Sequence, residues 1–332
     1  MREALSTQKV WGWKIVAYLF LVGLGAGAYL VGFVFNLIYP EFVLFSKLTV
    51  LITAPLVIVG LLFLIWDLGR KTLAHRAVLR PLSSWITRGT IIITVFIILD
   101  LIQIGIWIWP STWLAGAPGL RLALGGIASV FAVLTLIYTG LLLRAAKPIP
   151  FWNTSFLPAL FLVSGISTGT MGASLSLSAY GLSAGSAVEQ PLRLLARYDA
   201  FIIILEALII CFYLWRMYQL AAGRTSARMV IRGSLAVPFW GGVVAVGLVV
   251  PFALVVPFAF EVYKTYLSTI DPLAVLVLTA VASILGLVGG FLLRYIVIAG
   301  GTRTPLKVEG VLIPLPDTDR VKVPRRAAFL PR

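Results

Sequence analysis

Thiols and imidazoles are almost missing from this chain. Of its 332 residues one is cysteine, Cys211, and one is histidine, His75. A single cysteine excludes an internal disulfide and any iron–sulfur cluster held by the chain's own thiolates. A single histidine excludes a bis-histidine haem between two of its helices, and zinc or di-iron ligand sets have no support. Charge is scarce as well, at 12% of residues, roughly half the share of a soluble domain. Acidic side chains are the scarcest, 12 against 27 basic ones, so the net charge is +15. The basic residues form no nucleic-acid-binding patch. They fall in short clusters between apolar runs, as in loops that flank membrane helices. No Gly-rich phosphate loop and no nucleophile–base pairing stand out.

Apolar residues take up the difference. They make up 60% of the chain, and the mean hydropathy is +1.03. One globular core cannot bury them all, so lipid must be the solvent for many. Runs of the roughly 20 residues needed to cross hydrocarbon cover Trp13 to Tyr39, Phe42 to Trp66, Trp85 to Trp109 and Leu122 to Leu143. Four more cover Thr154 to Tyr180, Tyr198 to Tyr218, Leu235 to Phe260 and Pro272 to Ala299. The runs are continuous, not alternating, which predicts helices and not a barrel. The expected fold is all-α: eight transmembrane helices in two four-helix bundles, residues 1–148 and 149–300, then an extended basic tail, 301–332. Trp66, Trp85, Trp109, Tyr198 and Tyr218 mark span ends as an interfacial belt would. Met1 to Lys14 lacks a signal-peptide cleavage pattern and the run after it is too long for one, so the first span reads as a retained helix.

Eight spans place both termini on one side, here side A. All but five of the basic residues (Lys47, Arg121, Arg193, Arg197 and Lys264) lie there. The positive-inside rule puts side A in the cytoplasm of a cell-membrane protein, although a surface that docks an acidic partner would show the same bias. The tail carries Pro305, Pro314, Pro316, Pro324 and Pro331, with Arg325-Arg326 free to meet water, lipid headgroups or a partner.

A faint internal echo links the first and fifth spans. Leu19-Phe20-Leu21-Val22-Gly23, then Gly27, matches Leu160-Phe161-Leu162-Val163-Ser164-Gly165, then Gly169. Both segments start on side A, as in two halves of parallel orientation; composition bias could also produce the match. Small pairs at helical spacing (Gly23 and Gly27, Gly125 and Ser129, Gly165 and Gly169, Gly286 and Gly290) predict close helix packing before they predict a ligand contact.

Ionisable groups at membrane depth are costly and need a reason. Asp100 in the third span and Glu206 in the sixth are such groups, and Gln103 is one turn from Asp100. They read either as a proton relay or as polar pairs that hold helices together. In both readings they face the bundle interior. The densest polar cluster closes the second span: Asp67-Leu68-Gly69-Arg70, followed by Arg80-Pro81-Leu82-Ser83-Ser84-Trp85. A carboxylate and a guanidinium at an apolar boundary can pair, bind a ligand or pass a proton; they can also simply anchor a helix end. Tyr18 and Tyr138 lie at comparable depth from side A and could complete an aromatic-walled pocket with a few hydrogen-bonding groups. His75, in the loop beyond, reads as solvated.

These residues resemble the NrfD-like family, the membrane subunits of polysulfide reductase and its relatives. The resemblance rests on Trp11 and Trp13 before Tyr18-Leu19-Phe20, Gly23, Gly25 and Gly27; on Asp67 to Arg70; and on Pro81 to Trp85. It continues through Tyr138-Thr139-Gly140, Pro148 to Trp152, Ser164-Gly165, and Arg294-Tyr295 with Gly300. It spans the whole chain, with order and spacing more telling than any one motif. Two departures stand out: Lys71 where the family often has proline, and Ile15 and Tyr18 where some relatives carry a polar pair. The resemblance implies a quinone-binding anchor, for menaquinone or a similar quinone, with no haem or cluster of its own. It implies an iron–sulfur electron-transfer subunit docked over the pocket and a molybdopterin catalytic subunit beyond it, on a sulfur compound for example. Tyr18, Asp67, Arg70, Tyr138 and Ser164 would surround the quinone head. Asp67 would accept protons, with Asp100 and Glu206 on a longer path. The pocket falls on side A, whereas several relatives are thought to dock partners on the outer face. A secondary transporter, or an anchor without a quinone site, are the other readings of eight spans with buried acids.

Overall fold

The computed structural model describes residues 11–67, 85–108, 118–145, 149–184, 188–261 and 271–302, with two short strands beyond. The helices are α1 (Trp13–Ile38), α2 (Val43–Asp67), α3 (Trp85–Ile108), α4 (Pro118–Arg144), α5 (Phe156–Ala184), α6 (Glu189–Gln219), α7 (Arg224–Arg232), α8 (Pro238–Ala259) and α9 (Pro272–Ala299). All but α7 are long and apolar enough to cross a membrane, so eight spans stand among the described residues, as the hydropathy predicts. The chain is an integral membrane protein.

Helix contacts close two rings. α1, α2, α3 and α4 touch in sequence and α4 returns to α1; α5, α6, α8 and α9 do the same, with α9 returning to α5. α1 and α5 join the rings and are the most buried spans, while α2 and α3 face outward most. Their junction is where the echoed segments meet. A Cβ on Gly27 would land on the Gly165 carbonyl, and one on Gly169 would land on the backbone of Gly27 and Ala28. Here the absence of side chains is required, because two backbones lie against each other.

Hydroxyl groups and loop aromatics fasten the rest. Thr53 donates to the Gly25 carbonyl (3.1 Å), tying α2 to α1, and Ser178 and Thr279 share a 2.9 Å hydrogen bond between α5 and α9. At the side A end, Phe151 and Trp152 are wedged inward ahead of α5. The Trp152 indole donates to the Val297 carbonyl (2.7 Å), Tyr213 donates to the Phe151 carbonyl (2.7 Å), and Trp11 stacks on Trp152 at 5.2 Å. The start of α1 thus meets the end of α9.

Four features depart from the hydropathy reading. α6 begins at Glu189, nine residues before the expected Tyr198. Arg193 and Arg197 depress the local hydropathy, yet both find partners: Arg193 pairs with Glu261, and Arg197 donates to the Ala259 carbonyl (2.7 Å). The seventh span opens as a π-helix over Pro238–Val249 before becoming α-helical at Val250. A π stretch of this length is rare and leaves no mark in hydropathy. The polar connection after α6 holds the helix α7. Within the tail expected to be extended, Leu306–Val308 and Val311–Ile313 pair antiparallel. They flank Glu309-Gly310 in sequence, a two-residue spacing favoured by hairpins.

Gly27→Val should destabilise the bundle by about 1–3 kcal/mol or more, the usual cost of overpacking. The thermal midpoint in detergent should fall by several degrees, whereas Gly105→Ala, where a Cβ meets nothing, should leave it unchanged.

Candidate functional site

Among the described residues three clusters that include tyrosine or ionisable side chains lie in the apolar interior, and α1 or its neighbours present each of them. The first lies one to two turns in from side A. Tyr18 of α1 is completely buried and Tyr138 of α4 nearly so, and the two rings sit close enough to interact electrostatically. Gly89 of α3 provides the flat surface against which the Tyr138 ring rests. The Tyr18 hydroxyl has no hydrogen-bond partner among the described residues. Buried hydroxyls are seldom left so.

Asp67 is the last residue of α2 and is half-buried. The Lys14 ammonium sits 4.6 Å over the Trp66 ring, and Trp13 meets that ring edge-on. The last turn of α2 therefore lies beside the first turn of α1, and Tyr18 follows one turn deeper. Arg70, His75 and the Pro81 to Ser84 segment lie outside the described residues.

Ser164 does not join the tyrosines. It belongs to a second group built around Arg294 of α9, which is 2% exposed and therefore a buried cation in the membrane. Its Nη1 donates to Ser164 Oγ (3.2 Å) and to the Gly290 carbonyl (2.8 Å), and its Nε donates to the Leu19 carbonyl (3.3 Å). The guanidinium lies between Phe20 and Phe161, 5.5 and 5.8 Å from their ring centres. Nη2 has no partner among the described residues, and Gly23 leaves it room: a Cβ there would come within 2.9 Å. Glu206 of α6 is buried near Ser164 and Ser167, within electrostatic reach of Arg294. No direct ion pair closes between Arg294 and Glu206 among the described residues; Ser164 neighbours both. Two turns along the same face of α6 lies Asp199, buried, with Oδ1 unpartnered among the described residues. The two carboxylates are about 10 Å apart along the helix axis.

The third group lies deeper, toward the opposite surface. Asp100 is fully buried against the α2 backbone at Ala54, and both carboxylate oxygens lack hydrogen-bond partners among the described residues. Gln103, on the same face of α3, donates to the Tyr29 hydroxyl of α1. Asp100, Gln103 and Glu206 thus face the interior, as membrane burial of such groups demands.

Sequence reasoning gives Asp199 and Arg294 no site role. Arg294 counts there as a basic residue of side A, five residues from the end of α9, and as one of the residues that carry the resemblance, with no role assigned to it. Asp199 falls at the expected start of a span. The usable signal is helical spacing: seven residues separate Asp199 from Glu206 and return to the same face. Among the described residues no cluster of His, Cys, Asp or Glu could hold a metal.

Comparisons with known proteins agree with this architecture. The family model described as "Polysulphide reductase, NrfD" matches residues 3–305. The C subunit of polysulfide reductase from Wolinella succinogenes is 31% identical over 262 residues, covering 73% of this chain and 81% of that protein. Protein NrfD of Escherichia coli is 26% identical over 269 residues, covering 73% and 83%. The NrfD homolog of Haemophilus influenzae is 26% identical over 267 residues, covering 73% and 82%. With a match across nearly its whole length and eight spans to accompany it, this chain belongs to the polysulphide reductase NrfD family.

Proposed function

We propose that the chain is the quinone-reactive membrane anchor of a multi-subunit respiratory oxidoreductase. The observation that carries this reading is the buried Tyr18 hydroxyl, unpaired among the described residues, within electrostatic reach of Tyr138 near side A and one turn below the residues that meet the terminal turn of α2. Aromatic walls with one free donor suit the head group of a quinone, which is flat and accepts hydrogen bonds. The quinone supplies two-electron, two-proton redox chemistry when bound. The chain's own part is to hold the head group, keep water from it and move protons. Tyr18 and Tyr138 orient the ring. Asp67, half-buried at the boundary with water, takes up a proton when quinol is oxidised and returns one when quinone is reduced. Arg70, three residues further, is assigned to the same site on the resemblance. Electrons pass to or from an iron–sulfur partner docked over side A, with a molybdopterin catalytic subunit beyond; both are assigned on the resemblance.

Two longer proton routes are open. One runs by Ser164, Glu206 and Asp199; the other runs by Asp100, Gln103 and Tyr29. We assign proton transfer to the first in preference, because its Ser164 end meets Arg294 near side A while Asp199 reaches toward the far surface. Arg294 acts there as a positioning residue. Side A is placed in the cytoplasm on the charge bias. The direct, same-direction packing of α1 against α5 gives no support to a secondary transporter built from inverted repeats.

Tyr18→Phe, which keeps the ring and removes the unpaired donor, should weaken binding of a quinone analogue about three- to tenfold, the value of one hydrogen bond. Calorimetric titration would measure it, and unchanged affinity would remove Tyr18 from the site. Asp67→Asn should abolish quinol oxidation in the assembled complex without loss of subunits. Intact turnover would sink the role given to Asp67. Glu206→Gln should leave analogue binding unaltered yet slow proton-coupled turnover in liposomes by about a hundredfold, as expected for a lost proton-transfer group. Full activity would divert the path to Asp100.

A further inference from the structure

Outside the interior sites, a groove of about 540 Å³ runs along the lipid-facing surface of α6. Its walls are apolar, with Ile210, Leu214 and Trp215 from α6 against Phe239 and Val244 from α8. Its side A mouth is different. Tyr218, Arg228 and Arg232 line both the groove and an adjoining recess of about 490 Å³. Arg224, Arg228 and Arg232 recur every fourth residue on α7, so they form one exposed stripe, while Ser226, Ala227 and Val230 on the other face are buried.

This stripe is fixed in place. Arg224 and Arg228 lie 6.0 and 5.8 Å from the Tyr218 ring, and Arg224 Nε donates to the Tyr218 carbonyl (3.0 Å). The Trp240 indole donates to the Ile231 carbonyl (3.1 Å), clamping α7 to the start of α8. Among the described residues no carboxylate neutralises any of the three arginines. Because α7 joins the ends of two spans, it lies at headgroup depth. From Tyr218 to Ala207 the groove descends about 16 Å, close to the depth of one leaflet.

A cationic stripe opening into an apolar trench one leaflet deep matches an anionic amphiphile at both ends. A neutral quinone would leave the arginines unused, and an acidic protein would leave the trench unfilled. We propose that this groove is a binding site for an anionic phospholipid, its phosphate held by Arg228 and Arg232 and an acyl tail laid between α6 and α8. The site is separate from the one assigned to quinone and does not rest on that assignment.

Cys211 lines the groove, is exposed and is the sole cysteine of the sequence, so it reports occupancy directly. The test is the rate of Cys211 modification by N-ethylmaleimide on the full-length protein in neutral detergent, with phosphatidylglycerol or phosphatidylcholine added. At about ten times its dissociation constant, phosphatidylglycerol should slow the reaction about tenfold by occupancy alone, and phosphatidylcholine should have little effect. Arg228→Gln combined with Arg232→Gln should remove the protection while leaving the lipid-free rate unchanged. Equal protection by both lipids, or protection that survives in the double variant, would overturn the proposal; so would stronger protection by a long-chain quinone analogue. If the double variant misfolds, its lipid-free rate will differ, and the comparison of the two lipids on the unaltered protein decides.

Discussion

The backbone contact between α1 and α5 is the constraint on which the other parts of the molecule depend. In lipid no hydrophobic force drives one apolar helix against another, so association relies on close packing and on polar contacts. Gly27, Gly165 and Gly169 allow that packing at the junction of the two rings. With α1 held there, its remaining faces are committed. Tyr18 and Tyr29 are about three whole turns apart and point to α2, α3 and α4. Leu19 and Gly23 lie roughly 100° or more around the helix and meet Arg294 of α9. One helix therefore supports a polar group in each half. A shift of α1 would disturb all three interior groups together.

The buried charges follow a shared logic. An ionised group in the hydrocarbon costs several kcal/mol unless hydrogen bonds and neighbours offset it. Arg294 meets three backbone and hydroxyl oxygens and two aromatic faces, which accounts for most of its donors. Its counter-charge, Glu206, makes no direct ion pair with it among the described residues, and Ser164 neighbours both. A permanent ion pair would hold both groups in one state. Glu206 stands outside such a closed pair, as the proposed proton route asks of it. The arginines of α7 face a different situation: they lie at the membrane boundary and meet no protein anion among the described residues, which is the basis for giving them a lipid phosphate.

Much of the architecture is legible without coordinates. Eight spans, their order and most of their ends follow from apolar run lengths. The glycine pairs of the first and fifth spans signal close packing, although nothing in the sequence says that they meet each other. The site is legible only in part. The structure puts Tyr18 and Tyr138 within electrostatic reach of each other. Ser164, grouped with them on the resemblance, sits instead with Arg294 and Glu206. Asp199 is hidden because Arg193 and Arg197 make the first turns of α6 look like a loop. Their partners, Glu261 and the Ala259 carbonyl, come from the distant end of α8 and cannot be read locally. The π-helical opening of α8 has no signature in composition.

What the sequence by itself determined is one-dimensional: how many times the polypeptide traverses the membrane, where most spans start and stop, and which side carries the positive charge. Hydrocarbon thickness and the need to satisfy every backbone group inside it leave a run of apolar residues no other fold. What only the tertiary structure decided is which polar groups meet. That depends on the rotation of each helix about its own axis. Rotation is set by contacts elsewhere along the helix, such as Gly27 on Gly165 or Trp152 on Val297. A turn of roughly 100° in α1 would exchange the residues facing Tyr138 for those facing Arg294. The hydropathy of the span would not change.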